Sequence, residues 1–181
     1  MTETQSAAPY RPHSVPVYRE PTLRPHALHH ILVTQSATSK ALGDLIQHFD
    51  QAALPAPRVL CAGVDGFEQQ LKGLLHAAAV GTHLYILGDE AFLWHVHGMA
   101  HAAGMHNEEI DLIESGPTKR RVYCVHCARL QDSGPEGQVA CIHCHVVLGV
   151  REHFSQRLGA YLGVCDNPDQ PYSQATSGAR P

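Results

Sequence analysis

Two short cysteine motifs decide how this sequence is interpreted: Cys124-Val125-His126-Cys127 and Cys141-Ile142-His143-Cys144. Thirteen residues, 128–140, separate them, and this loop contains the turn-forming run Ser133-Gly134-Pro135-Glu136-Gly137. Each C-x-x-C pair forms a tight turn that points two sulfurs at one place, and four thiolates around one point form the closed tetrahedral site of structural Zn²⁺. Two disulfides or four unused thiols are the alternative, but nothing in the sequence indicates an oxidising compartment. The motifs therefore predict a structural zinc site with the ligands Cys124, Cys127, Cys141 and Cys144.

The residues around these motifs predict a zinc ribbon. Short apolar runs lead into each motif at 121–123 and 138–140, and a third run follows at 146–148. This pattern favours one β-hairpin for each cysteine pair, held together by the metal because some thirty residues bury too little surface alone. Beyond the ribbon, Val150, Phe154, Leu158 and Tyr161 form an apolar stripe. Their spacing predicts a C-terminal helix over 151–164 that packs on the ribbon or on a neighbouring sheet.

The preceding part of the chain alternates between strand and helix patterns. Apolar runs at 31–33, 58–63, 83–88 and 110–113 read as buried strands, and apolar residues at helical spacing lie between them. Ser39 and Asp89 stand where the first and third helices need capping residues. The repeat of about twenty-six residues favours right-handed βαβ crossovers. We therefore expect a small parallel-sheet, Rossmann-like α/β domain with helices on its faces.

Composition shifts predict the domain boundaries. Five prolines and few core-forming residues mark an extended or disordered N-terminal arm, Gly116-Pro117 ends the α/β domain, and the last residues are rich in Pro, Ser, Gly and Asn. The expected division is an arm over 1–25, the Rossmann-like domain over 26–116, the zinc ribbon with its C-terminal helix over 117–165, and a flexible tail over 166–181.

Composition also excludes several classes of protein. The net charge of -4 and the absence of a long basic run argue against a nucleic-acid partner. The sequence shows neither a secretory signal nor an apolar run approaching about 18 residues, so we expect a cytoplasmic protein without a membrane span. His97 and His101 could share a helix face, but Gly98 occupies the position where a metalloprotease has its glutamate. No catalytic residue is predicted.

Residues 82–115 resemble the last part of the nucleotide-binding domain of ferredoxin–NADP reductase-like proteins. There, a strand ends in a Cys-Gly-Pro-Glu-Pro-Phe-type turn, followed by a helix, Ala-Gly and a final strand. Here the turn reads Leu87-Gly88-Asp89-Glu90-Ala91-Phe92, followed by Ala103-Gly104 and Ile110-Asp111-Leu112. The resemblance implies that the α/β domain has the fold of a ferredoxin-reductase NAD domain.

Most of residues 28–165 resembles the small DmmA-like subunit of bacterial dimethylamine monooxygenase. The resemblance rests on Val122 to Cys127, on the second cysteine pair, and on the run Val150-Arg151-Glu152-His153-Phe154-Ser155-Gln156-Arg157-Leu158-Gly159-Ala160-Tyr161. It implies an accessory subunit of a hetero-oligomeric oxidoreductase that uses NADPH and O₂ to demethylate dimethylamine to methylamine and formaldehyde. The resemblance also implies that NADPH, flavin, iron–sulfur and haem groups belong to reductase-like and haem-binding oxygenase-like partner subunits.

The sequence departs from a nucleotide-binding pattern at the first strand. The turn Thr34-Gln35-Ser36-Ala37-Thr38-Ser39 has no glycine, and Leu87 replaces the cysteine of the reductase turn. A backbone without glycine approaches a pyrophosphate less closely, so we expect a degenerate fold without a cofactor-binding site. Two other functions stay open: a zinc-ribbon interaction or regulatory protein, and a four-thiolate iron electron carrier. Against the carrier, Ala128 and His145 follow the cysteine pairs where such proteins usually have glycine.

Overall fold

The computed structural model describes residues 14–18 and 20–172, which form two β-sheets, three α-helices and a short 3₁₀ turn. The first half contains β1 (His29–Thr34), α1 (Lys40–Gln51), β2 (Arg58–Cys61), α2 (Phe67–His76), β3 (Thr82–Gly88), α3 (Glu90–Ala102), the 3₁₀ turn Asn107–Glu109 and β4 (Ile110–Glu114). The second half contains β5 (Arg120–Cys124), β6 (Arg129–Ser133), β7 (Gln138–Ala140), β8 (Val147–Ser155) and β9 (Ala160–Cys165).

The first sheet has the order β2-β1-β3-β4, and its described strand pairs are all parallel. Every residue of the central strand β3 is buried, because α2 and α3 pack on one face of the sheet and α1 packs on the other. The side chains of Ser39 and Asp89 accept hydrogen bonds from the first turns of α1 and α3, as capping residues do. The prediction of a parallel α/β unit is confirmed.

The second sheet is mixed and has the order β6-β5-β9-β8-β7. The pairs β5–β6 and β7–β8 are antiparallel hairpins, and each holds one cysteine motif, as the sequence predicts. Strand β9 lies between the two hairpins, parallel to β5 and antiparallel to β8. It therefore joins the hairpins into one curled sheet, which we call the ribbon.

The prediction of a C-terminal helix over 151–164 is wrong, because this stretch forms most of β8 and β9. Val150 and Phe154 are four residues apart, a spacing that places them on one side of a helix and equally on one side of a strand. A bulge between them leaves Arg151–His153 exposed opposite a single residue of β9. Gly159 has φ +58°, a left-handed conformation that suits the turn between the strands better than a helix interior.

The α/β unit and the ribbon pack together through α3. The Trp94 ring lies 4.7 Å from the Phe154 ring, measured between centroids, and Phe154 lies 5.0 Å from Tyr161. The backbone N–H of Ala91 donates to the carbonyl of Lys119 over 3.1 Å. A Cβ at Gly159 would come within 3.0 Å of the Trp94 Cβ, so the β8–β9 turn approaches α3 as closely as glycine permits.

The described part of the predicted N-terminal arm contacts the chain's own core. Val15 packs beside Trp94 and Phe154, Tyr18 packs on the α2–α3 side of the sheet, and Leu23 packs on the α1 side. Residues 1–13 and 19 of that arm, and 173–181 of the predicted tail, lie outside the described residues. Within the described ranges, no helix is long and apolar enough to cross a membrane.

Candidate metal centre

The four cysteines of the two motifs meet at one point between the hairpins. Cys124 ends β5 and Cys141 directly follows β7, while Cys127 and Cys144 lie in the turns that precede β6 and β8. The Sγ atoms of Cys124 and Cys144 are 3.8 Å apart, those of Cys127 and Cys141 are 3.7 Å apart, and all four sulfurs lie within 4.8 Å of one another. Cys124 and Cys141 are buried, whereas their partners are half-buried.

These distances fit a tetrahedral metal site. Four sulfurs at about 2.3 Å from one Zn²⁺ are separated by about 3.8 Å along each edge of a regular tetrahedron. A disulfide would require about 2.05 Å, and all four cysteines are free. Tetrahedral sulfur coordination suits zinc and iron alike. The geometry therefore indicates a four-thiolate site without identifying its metal.

Each cysteine turn closes with a residue in the left-handed conformation. Ala128 has φ 57° and its N–H donates to the Cys124 carbonyl over 2.9 Å. His145 has φ 61° and makes the equivalent 2.9 Å bond to the Cys141 carbonyl. This conformation costs a non-glycine residue about 1–2 kcal/mol. The turns thus keep the geometry that points two sulfurs inward although neither ends in glycine.

The thiols differ in their tendency to ionise. Burial raises the pKa of Cys124 to about 12, although backbone N–H groups of Cys127 and His126 oppose it. Burial acts in the same direction on Cys141, but backbone N–H groups of Cys144 and His143 outweigh it and lower the pKa of that thiol to about 7. Without a cation the Cys124 and Cys141 thiols therefore do not ionise together near neutral pH. A bound metal supplies the positive charge that permits four thiolates.

Gln131 connects the two cysteine hairpins. It lies on β6 beside the first motif and is only 5% exposed. Its Nε2 donates to the Ala140 carbonyl over 3.2 Å, and its Oε1 accepts from the Ile142 N–H at 2.9 Å. One side chain thus holds the backbone on both sides of Cys141. The sequence did not point to Gln131, since a glutamine on a short strand carries no distinguishing signal.

Residues 34–39 form the glycine-free turn at which we expect no nucleotide to bind. This turn lies between the carboxyl ends of β1 and β3, where open α/β sheets bind ligands. Gln35 Nε2 donates to Asp89 Oδ2 over 2.9 Å, and the Asp89 N–H donates to Gln35 Oε1 over 2.8 Å. Asp89 Oδ1 also accepts from the Phe92 N–H at 2.9 Å. The Asp89 carboxylate therefore occupies the N-terminus of α3. Helix N-termini attract anions such as phosphate when no carboxylate is present.

His97 and His101, two of the three histidines on α3, belong to no group of three potential metal ligands among the described residues. The His97 and His101 rings are 6.1 Å apart, and His97 Nε2 lies 3.0 Å from Asn107 Oδ1. Among the described residues, the four-cysteine cluster is the one group of three or more His, Cys, Asp or Glu side chains arranged to hold a metal.

Comparisons with known proteins cover both units of the chain. Residues 50–110 match the N-terminal domain, and residues 121–164 the C-terminal domain, of a family described as dimethylamine monooxygenase subunit DmmA-like. A curated protein of Ectopseudomonas mendocina (strain ymp), the heme-dependent oxidative N-demethylase delta subunit, is 42% identical over 172 residues, which span 92% of this chain and 96% of that protein. No solved structure matches.

Proposed function

This chain belongs to the DmmA-like family of dimethylamine monooxygenase subunits, and we propose that it is the delta-type, non-catalytic subunit of a multi-subunit oxidative N-demethylase. The observation that carries the proposal is the 42% identity to a delta subunit over nearly the full length of both chains. The similarity covers the sequence of the α/β unit as well as that of the ribbon.

We propose dimethylamine as the substrate of the assembly, which oxidises it with NADPH and O₂ to methylamine and formaldehyde. NADPH, flavin, iron–sulfur and haem groups then belong to reductase-like and haem-binding partner subunits. The Gln35–Asp89 pair supports a non-catalytic role for this chain, because its side chains bond to each other at the sheet edge where open α/β folds bind ligands. We propose that the α/β unit keeps its sheet without binding a nucleotide because its surfaces contact the partner subunits.

The four-thiolate site holds Zn²⁺ in this proposal, and its role is structural. Cys124, Cys127, Cys141 and Cys144 would bind the ion and thereby hold the β5–β6 and β7–β8 hairpins together. Zinc has no redox chemistry and accepts a closed tetrahedral sulfur site. A reducing bacterial cytoplasm suits such a site, because it keeps the thiols from forming disulfides.

The metal is tested by elemental analysis and by serine variants. We expect one zinc per chain, and Cys141→Ser should lose it and unfold residues 120–165 while leaving the α/β unit folded. Cys61→Ser is the matched control, because Cys61 is a free, half-buried cysteine on β2 outside the cluster. A chain with no metal would contradict the site. One iron per chain, with the visible absorption of ferric thiolate, would instead favour the electron-carrier alternative.

The subunit role is tested by reconstitution with the reductase-like and haem-binding subunits. We expect dimethylamine oxidation and a stable assembly only when this chain is present. The Cys61→Ser chain should support both as well as wild type does. Partner subunits that remain assembled and turn over dimethylamine at full rate without this chain would refute the proposal.

A further inference from the structure

Glu90 lies buried at the point where three parts of the chain meet. It is the first residue of α3 and is 9% exposed. The Tyr18 hydroxyl, from the segment before β1, donates to Glu90 Oε2 over 2.8 Å. The Tyr161 hydroxyl, from β9 of the ribbon, donates to the same oxygen over 3.3 Å. One carboxylate oxygen thus binds the N-terminal segment and the ribbon to the α/β unit.

The groups around Glu90 extend this arrangement. Trp94 Nε1 donates to the Tyr18 oxygen over 2.9 Å, so that hydroxyl both accepts and donates a hydrogen bond. The guanidinium of Arg120 lies 5.2 Å from the centre of the Tyr161 ring, within the range of a cation–π contact. The hydrogen bonds therefore run from Trp94 through Tyr18 to Glu90, where the bond from Tyr161 also ends.

Local requirements of α3 do not explain this burial. An acidic residue in the first turn stabilises a helix equally well when water surrounds it. Burial of a carboxylate is costly unless donors satisfy it, and the two hydroxyls that do so are 72 and 71 residues away in the sequence. Hydrogen bonds to an ionised oxygen are stronger than those between neutral groups. Buried Glu90 therefore stabilises contacts between distant parts of the chain, the segment with Tyr18 and the strand with Tyr161.

We propose that Glu90 is a latch that couples the N-terminal segment to the ribbon, so that docking of Tyr18 holds the metal-bearing sheet in its orientation on the α/β unit. Because both hydroxyls share Oε2, removal of either one lets the carboxylate turn and hydrate, which weakens the other bond. The bond from Trp94 to the Tyr18 oxygen strengthens the bond that Tyr18 donates, because a hydroxyl that accepts a hydrogen bond becomes a better donor. The segment before β1 thus stabilises a strand that it reaches only through Glu90.

Reciprocal tyrosine variants test the latch in the full chain with its metal bound. Tyr18→Phe should accelerate hydrogen–deuterium exchange of residues 160–165 by roughly tenfold, the effect expected from loss of one hydrogen bond to a charged group. Tyr161→Phe should accelerate chymotryptic cleavage after Tyr18 by a similar factor. Glu90→Gln should produce both effects. Trp94 is the single tryptophan, and acrylamide quenching of its fluorescence should rise in Tyr18→Phe.

Tyr172→Phe is the matched control, because Tyr172 is 47% exposed; it should leave the exchange and cleavage rates unchanged. The latch is refuted if each tyrosine variant changes only its own segment, because the two bonds would then be independent. It is also refuted if Glu90→Gln leaves both rates at the wild-type level. These measurements use this chain alone, so their outcome does not depend on its assembly into a demethylase.

Discussion

Replacement of Gln131 by leucine tests how the two cysteine hairpins are held together. Leucine has a similar volume, but it removes the bonds to the Ala140 carbonyl and the Ile142 N–H, which measure 3.2 and 2.9 Å. A typical hydrogen bond contributes about 0.5–1.5 kcal/mol net, and an unpaired buried group costs about 1–3 kcal/mol. Ala140 and Ile142 are exposed residues, so water satisfies part of their lost bonding. We therefore expect a loss of about 2 kcal/mol.

With the proposed zinc bound, this loss should appear as weaker metal retention, because metal binding would be coupled to folding of the ribbon. A difference of 2 kcal/mol corresponds to roughly a 30-fold higher apparent dissociation constant for zinc. The measurement is competition with chelators of graded affinity at neutral pH, followed by zinc release. Gln138→Leu is the matched control, since the Gln138 amide makes only an exposed bond to Asp166 near the same hairpin. That control should change stability by less than about 0.5 kcal/mol.

Two results would refute this reasoning about Gln131. The first is wild-type zinc retention by Gln131→Leu, which would mean that the metal alone holds the hairpins. The second is an equal loss in Gln138→Leu, which would mean that polarity near the hairpin, rather than the buried connection, sets the affinity.

Three further predictions concern the cysteine turn, the buried carboxylate and the α/β unit. Ala128→Gly should stabilise the ribbon by about 1 kcal/mol in thermal unfolding, because glycine removes the cost of the left-handed conformation; a lower melting temperature would contradict it. Burial raises the pKa of Glu90, while bonds from Tyr18 and Tyr161 oppose the shift. The folded state therefore binds the proton of the Glu90 carboxyl more tightly than the unfolded state does. The stability that this proton contributes is complete below the ordinary pKa of 4.5 and is lost as the pH rises through the raised pKa. The unfolding free energy of wild type minus that of Glu90→Gln should decrease over this window, and a difference that stays constant or increases would refute the assignment. Isothermal calorimetry should detect no micromolar NADPH binding to the isolated chain, because the turn after β1 has no glycine and Gln35 bonds to Asp89 beside it; a measurable binding heat would contradict this.

The sequence by itself determined the features that depend on near neighbours in the chain. Two cysteines separated by two residues can share one turn, so the spacing predicted both pairs of the cluster that the structure shows. The regular exchange of strand and helix patterns before Gly116 likewise predicted the parallel sheet. Both features follow from backbone geometry over a few residues, which any tertiary arrangement must respect.

The tertiary structure decided the features in which distant residues meet. The four-residue spacing of Val150 and Phe154 fits a helix and a bulged strand alike, and only the pairing of β8 and β9 selected the strand. Gln131 became a connection between hairpins only when the curl of the sheet brought its edge strand β6 to the second cysteine pair. Glu90 is an ordinary first-turn acid until Tyr18 and Tyr161 reach it from either end of the chain. Periodicity records which residues share a face, whereas packing determines what that face contacts.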